Sequence, residues 1–390
     1  MDVLTQPRAK PALPFASTHA LVDFPLSTLA ASVVDEVWVS VQYLSHTLDP
    51  LLSGGRPHDL DRTRGGFRRL VPQQEPGNPT DQGFSQGNAD GLFRIRDQIR
   101  ASAADVFVVL SADHIFSLDL DAALARHLER EADCTLMTAQ VGVQEAKQKM
   151  VVTHDNSHRV TRVEDKPAEP TSGTVACEIF LYRTQALLDA LDSAHARATP
   201  EDESDSGLGD FGDHLLPALV SGGRVHADPL EGYWRDVGRV HAYLQAHRDL
   251  LAGRIDVFDH PDRPIRGVGH AGPPAWVGHE GALVEAMAGP GSRIRGRVER
   301  SVLGPGVQVD AGAHVVDSVL LEGVHIGAGA RVHSSIIDRH ARVGREATVG
   351  APPASTRLTD EAIVVVGQGA TLAGGAELQP GERVEPQEQR

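Results

Sequence analysis

The stretch SVLGPGVQVDAGAHVVD at residues 301–317 is followed without a break by SVLLEGVHIGAGARVHS (318–334) and SIIDRHARVGREATVGA (335–351), a repeat with a period of 17. Val302, Val319 and Ile336 share one column, Val309, Ile326 and Val343 a second, and Val315, Val332 and Val349 a third. Within a repeat two aliphatics stand six apart, with Gly and Ala between them. An aliphatic every six residues suits a left-handed parallel β-helix, whose three flat faces of about six residues make a coil of roughly 18. The aliphatics point inward and stack on the coils above and below, while small residues take the corners. Coils of this kind serve as acyltransferases, oligomerisation surfaces or structural caps, so the repeat predicts architecture and not activity. His314, His325 and His333 fall inside repeats and read as corner or surface residues, which argues against an acyl-transfer site.

Outward from the repeat the grammar changes. DHPDRPIRGVGHAGPPAWV (259–277) is rich in Pro and Gly and reads as a crossing between domains. We therefore expect a first domain over 1–252, a linker over 253–277, the β-helix over 278–380 and a polar tail over 381–390. The first domain alternates strand-like and helix-like runs. DEVWVSVQY (35–43), DVFVVLSADHI (105–115) and CTLMTAQVGV (134–143) are β-branched and apolar; LDLDAALARHLEREA (118–132) has Leu120, Leu124 and Leu128 at helical spacing. This alternation predicts βαβ units, a mostly parallel sheet covered on both faces, and hence an α/β fold followed by the β-helix.

Of the 390 residues 41 % are hydrophobic and 23 % charged, the balance of a globular protein. No apolar run approaches the ~18 residues of a membrane span, and no secretory signal opens the chain. Two Cys, Cys134 and Cys177, give neither a disulfide framework nor a clustered metal site, which fits a reducing cytoplasm. The net charge of −16, without a basic stripe, excludes a nucleic-acid polymer as the expected partner but leaves small anions open.

Several short stretches carry possible chemistry. In LSADHIFSLD (110–119), Asp113 falls at the carboxyl end of an apolar strand, where open α/β sheets bind ligands. It reads either as a Mg²⁺ carboxylate or as a turn or helix-capping Asp. Lys166 in VTRVEDKPAEP (160–170) reads as a phosphate partner or as a surface lysine. Asp236, after Tyr233 and Trp234 in EGYWRDVG (231–238), reads as a second metal carboxylate or a helix-start residue; spacing does not choose. Gly87 in GNADGL (87–92) lets a ligand approach the backbone closely.

Together these pieces resemble the bacterial glucose-1-phosphate adenylyltransferases. The carrying stretches, in the family's order, are RAKPALPF (8–15), VDFPLSTLAAS (22–32), VQYLSHTLD (41–49), GGFR (65–68), GNADGL, LSADHIF, VEDKP, DFGDHLLP (210–217) and GYWRDVG (232–238). The family joins a Rossmann-like nucleotidyltransferase domain to a left-handed β-helix. The resemblance implies that ATP and α-glucose 1-phosphate give ADP-glucose and pyrophosphate for glycogen or a related α-glucan. It implies that Asp113 and Asp236 hold Mg²⁺, that Lys166 holds the sugar phosphate and that Arg8 and Lys10 face phosphates. It further implies that Asp165 and Asp210 meet sugar hydroxyls, and that Gly87, Asp90, Glu178 and Trp234 line the substrates. It also implies a cytoplasmic homotetramer.

Four features depart from the family. Its triphosphate loop, GGxGxRL, would stand just before Met1, which leads us to expect that translation begins upstream, and that without the first strand the sheet has an apolar slot and unpaired edges. Ser85 and Gln86 replace an aromatic and an Arg near the nucleotide, Ala176 and Glu178 replace a Ser and a Gly of the sugar site, and Pro7 stands where regulated members often carry a Lys. The alternatives are a non-catalytic regulatory or assembly paralogue, and a nucleotidyltransferase for another base or sugar.

Overall fold

The computed structural model describes residues 1–63, 65–72, 84–198, 206–352 and 358–390. The period of 17 holds in three dimensions. Three six-stranded parallel ladders run side by side and form the left-handed β-helix. In register, Val302 stacks on Val319 and Val319 on Ile336; Val309 stacks on Ile326 and Ile326 on Val343; Val298, Val315, Val332 and Val349 form a third column. These aliphatics are 0–2 % exposed. The Val302, Val319 and Ile336 column does not point inward as expected: Leu303, Leu320 and Ile337 beside it fill the coil interior, while Val319 and Ile336 pack against the first domain. Each such buried side chain contributes about 1.5–3 kcal/mol relative to exposure.

The β-helix is longer than its sequence suggests. Its first strand is Trp276–Val277, inside the expected linker, and its last is Arg383–Val384, inside the expected polar tail. The tail is a coil: Arg383–Val384 pairs in parallel with Val364–Val366, and Arg390 pairs with Glu382 and Glu388. A terminal coil has a neighbour on one side only, so a polar outer surface is what its position requires.

The first domain holds the elements its alternation predicts, among them the strands Glu36–Ser40, Val106–Leu110 and Cys134–Gln140 and the helix Leu120–Glu129. Its strand pairing is more antiparallel than expected. Val225–Pro229 runs parallel to Cys134–Gln140, but Thr174–Arg183 is antiparallel to Cys134–Gln140, Val106–Leu110 and Met150–His154, and Val160–Asp165 is antiparallel to Met150–His154. Glu36–Ser40 and Gly66–Leu70 form a separate parallel pair. Among the described strands, Val106–Leu110 bonds only to Thr174–Arg183 along one edge, and its five residues are all half-buried rather than fully covered. Across from it the rings of Trp38 and Phe107 meet edge to face at 5.9 Å.

One apolar cluster binds the two domains. It joins Val3, Leu4 and Phe15 and helix Val240–Leu251 to Val319, Leu321, Ile336 and Val365 of the β-helix. Ion pairs flank it: Arg8 with Asp338, Arg248 with Asp317 and His241 with Asp360. The segment between the domains is packed as well, with Ile255 and Val257 buried in the same cluster. No described helix is long and apolar enough to cross a membrane.

Candidate active site

The apolar run Val106–Leu110 delivers Ser111 and Asp113 to its carboxyl end. Ser111 Oγ donates to Asp113 Oδ1 at 2.6 Å, and Lys10 pairs with Asp113 Oδ2. Asp113 is not a helix cap; Asp119 takes that role by accepting from the Ala122 N–H. The strand His114–Phe116 then pairs antiparallel with Trp234–Asp236, and the register sets His114 directly opposite Asp236. Asp236 Oδ1 accepts from the Gly238 N–H at 2.7 Å and Oδ2 from Lys149 Nζ at 3.0 Å. A Cβ at Gly238 would lie 2.8 Å from Asp236 Oδ1 and 3.1 Å from Lys10 Nζ, so the close approach requires glycine.

His114 stands between the carboxylates. Its side chain is 3 % exposed, and its Nε2 lies 3.7 Å from Asp113 Oδ1, 3.7 Å from Asp236 Oδ1 and 3.9 Å from Glu178 Oε2. Burial pushes the Asp113 carboxyl up, but His114 and then Lys10 outweigh it and hold the group below its ordinary value. Asp236 follows the same balance: burial opposes ionisation, and His114 and Lys149 overcome it, leaving the pKa well below the carboxylate range. Both acids are therefore ionised at neutral pH, as holding a cation or orienting a phosphate partner requires. Trp234 packs beside this group, its ring 5.6 Å from the His114 ring and 5.0 Å from the Lys149 ammonium.

A second group lies around Lys166. Its Nζ donates to Asp165 Oδ2 at 3.1 Å. That bond first, with Asp210 and Glu178 behind it, raises the Lys166 pKa and keeps the half-open side chain charged. The Lys166 N–H donates to the Lys149 carbonyl at 3.1 Å, so the two lysines are joined across neighbouring backbone segments, one ammonium pointing inward and the other toward solvent. Asp210 Oδ1 accepts from the Asn88 N–H at 3.0 Å, and the Gly209 carbonyl accepts from Ala89 and Asp90. Gly87 fits against this loop; a Cβ there would lie 2.2 Å from the Gly209 carbonyl.

Not every expected residue joins the site. Arg8 is 3 % exposed and donates to Asp338 Oδ2 at 2.9 Å, Gln368 Oε1 at 2.7 Å and the Leu4 carbonyl at 3.2 Å. It faces the β-helix rather than a phosphate, because a buried guanidinium needs a carboxylate and Asp338 is the one beside it. Asp90 is fully buried, accepting from the Gln86 N–H and Arg94 Nε at 2.9 Å each, and holds its loop in shape. Sequence reasoning passed over His114 and Lys149. His114 had a signal, standing next to Asp113 in a strand; Lys149 had none.

The donors suit a hard divalent cation. Three carboxylates converge on the buried His114 imidazole within 3.7–3.9 Å of its Nε2, an oxygen-rich set of the kind such ions take. Among the described residues, Asp113, His114 and Glu178 offer three ligand atoms within 4.8 Å of one another.

Carboxylates at strand carboxyl ends with lysines brought beside them, joined to a parallel β-helix, define a nucleotide-handling α/β enzyme. The chain belongs to the nucleotidyl transferase family, whose model matches residues 2–253; a GlmU-like C-terminal hexapeptide model matches residues 274–366. It is 28 % identical over 396 aligned residues to a glucose-1-phosphate adenylyltransferase of Acetivibrio thermocellus, covering 99 % of this chain and 90 % of that protein. It is 31 % identical to proteins of the same name from Bacillus thuringiensis, over 82 % of each chain, and from Clostridium botulinum, over 82 % of this chain and 80 % of that one.

Proposed function

We propose that the protein transfers the adenylyl group of ATP to α-glucose 1-phosphate, giving ADP-glucose and pyrophosphate for α-glucan synthesis. The observation that carries this reading is the ionic floor at the strand ends. Asp113 is paired with Lys10 and Asp236 with Lys149, with Lys166 at the rim. The sugar phosphate is already an anion and needs no strong base. Its oxygen attacks the α-phosphorus, the α–β bridging bond breaks, and pyrophosphate leaves with the bonding electrons.

What the protein contributes is alignment and charge neutralisation. In this reading Lys166 meets the sugar phosphate, and Lys10 a phosphate of the nucleotide. Asp165 and Asp210 face the sugar side. Asp113 and Asp236 are the pair that the family resemblance assigns to Mg²⁺, which when bound neutralises phosphate charge. Trp234 keeps water from one wall of the cleft. The protein works, in this reading, in the cytoplasm as a homo-oligomer.

A panel of nucleoside triphosphates and sugar 1-phosphates with Mg²⁺, read by pyrophosphate release, tests the assignment. ATP with glucose 1-phosphate should be the preferred pair, and Asp113→Asn should slow it by roughly 10²–10³-fold with the fold retained. A preference for another base or sugar, or full activity in Asp113→Asn, would overturn the respective part.

A further inference from the structure

Lys166 and Asp236 belong to strands that no backbone ladder joins. Lys166 follows the edge strand Val160–Asp165, which pairs with Met150–His154; that strand meets Thr174–Arg183 through one register pair, Val151 with Val175, among the described residues. Trp234–Asp236 pairs instead with His114–Phe116 in a separate two-stranded ladder. The carboxylate floor on that side is fixed without the edge strand. The Cys177 carbonyl accepts from His114 Nδ1 at 3.1 Å, just before the bulge where Thr174–Arg183 shifts register around Glu178, and Asp113 is held by Ser111 and Lys10. The rim is held differently. Lys166 has a left-handed φ of +43°, which a non-glycine residue keeps where its surroundings hold it. Its N–H donates to the Lys149 carbonyl at 3.1 Å, and the Lys149 N–H donates in turn to the carbonyl of the buried Ala146 at 3.1 Å.

The Lys149 side chain then crosses to the other ladder. Its Nζ donates to Asp236 Oδ2 at 3.0 Å and stands 5.0 Å from the centre of the Trp234 ring; among the described residues this is the hydrogen bond that joins 143–166 to 231–238. The side chain is 10 % exposed, so the carboxylate and the ring hold the ammonium in one place, because a buried charge is costly without its partner. Resting on the reading above that Lys166 meets the sugar phosphate, we propose that Lys149 is a positioning residue for that substrate. Its carbonyl holds the Lys166 turn, its ammonium holds Asp236, and the one residue thereby sets the spacing between the cationic rim and the carboxylate floor. In-line attack needs the sugar phosphate aligned on the α-phosphorus, and a misplacement of about 1 Å is costly. Lys149 acts through Lys166, so its loss falls on the sugar 1-phosphate and spares the nucleotide.

Steady-state kinetics of the full chain, read by pyrophosphate release, test this. Lys149→Met keeps the length of the side chain and releases Asp236. It should raise KM for glucose 1-phosphate about tenfold or more and leave KM for ATP within about twofold. Lys149→Arg still reaches the carboxylate and should bring KM for glucose 1-phosphate back to within about threefold of the unaltered chain. In a Lys166→Ala background, Lys149→Met should change that KM by less than about twofold, because nothing is left to position. A general loss of folded protein would instead lower kcat and leave both KM values in place. Equal rises in the two KM values, an unchanged KM for glucose 1-phosphate, or full additivity with Lys166→Ala overturns the proposal. Calorimetric binding of glucose 1-phosphate, with Mg²⁺ and the unreactive α,β-methylene analogue of ATP present, separates it from the reaction. Binding about tenfold weaker in Lys149→Met, in a chain that makes no ADP-glucose, would sink the proposed reaction and leave the tether standing. ADP-glucose formed with the same KM values in both chains would do the reverse.

Discussion

The β-helix and the nucleotidyl-transfer domain are built on opposite plans. In the β-helix each coil touches the next in register, so every inner column is the same kind of residue repeated, from Val298 to Leu378 or from Leu303 to Val384. Strands within the stack are paired on both edges, and only the end coils are open. In the first domain the sheet is mixed, three two-stranded pairs stand apart from it, and Val106–Leu110 has one free edge among the described strands. Among the described residues the metal-ligand cluster lies in the irregular half, which gathers its charged groups where the regularity fails, at strand ends and at the Glu178 bulge. Periodicity stabilises a scaffold, and interruptions of it position chemistry.

The comparison can be broken first at the seam. Asp338→Ala leaves Arg8 buried without its carboxylate and should cost about 3–5 kcal/mol in denaturant unfolding. An unchanged midpoint would mean that the two plans stand independently. Next come matched truncations. Ile326→Ala, in a fully buried column, should destabilise by about 2–5 kcal/mol, and Val108→Ala, in the half-buried strand, by about 1 kcal/mol. Equal losses would erase the distinction between the halves.

The third test is pH. His247, packed against Phe15 and Tyr243 with ring centroids at 4.6 Å in each case, is pushed down to about 4 by burial. An unfolded His titrates near 6.5, so the unfolded chain binds the extra proton. Stability from this group is therefore complete above about pH 6.5 and falls as pH drops toward about 4, by up to about 1.4 kcal/mol per pH unit. His247→Gln should flatten that slope; a slope that persists would assign it elsewhere. The smallest effect belongs to the outer surface of the coils, where removing the His325–Asp310 contact by His325→Ala should change stability by less than about 0.5 kcal/mol.

How much of this was legible differs by region. Two of the three inward columns of the β-helix could be read residue by residue, because an inward position every six residues is a local property of the chain; the third was read one residue off, since Leu303, Leu320 and Ile337 point inward and Val319 and Ile336 meet the first domain. Its ends could not, since the polar composition of 381–390 looks like a tail until its pairing partner is known. In the first domain the strands around residues 36–40, 106–110 and 134–140 were visible as apolar runs, but their partners and directions were not. Asp113, Lys166 and Asp236 were visible as candidates. Lys149 was invisible, because a lysine ahead of an apolar strand has no pattern that sets it apart from a surface lysine.

By itself, the sequence determined the order of the two domains, the coil period and the apolar runs that become strands, all of which depend on neighbours a few residues apart. Only the tertiary structure decided that Lys149 reaches Asp236, that the Cys177 carbonyl fixes His114, and that Arg8 turns away from the cleft to Asp338. Those partners are 87, 63 and 330 residues apart along the chain. Nothing local specifies such meetings; they follow from sheet register, from a bulge, and from the need of a buried charge for its counter-charge.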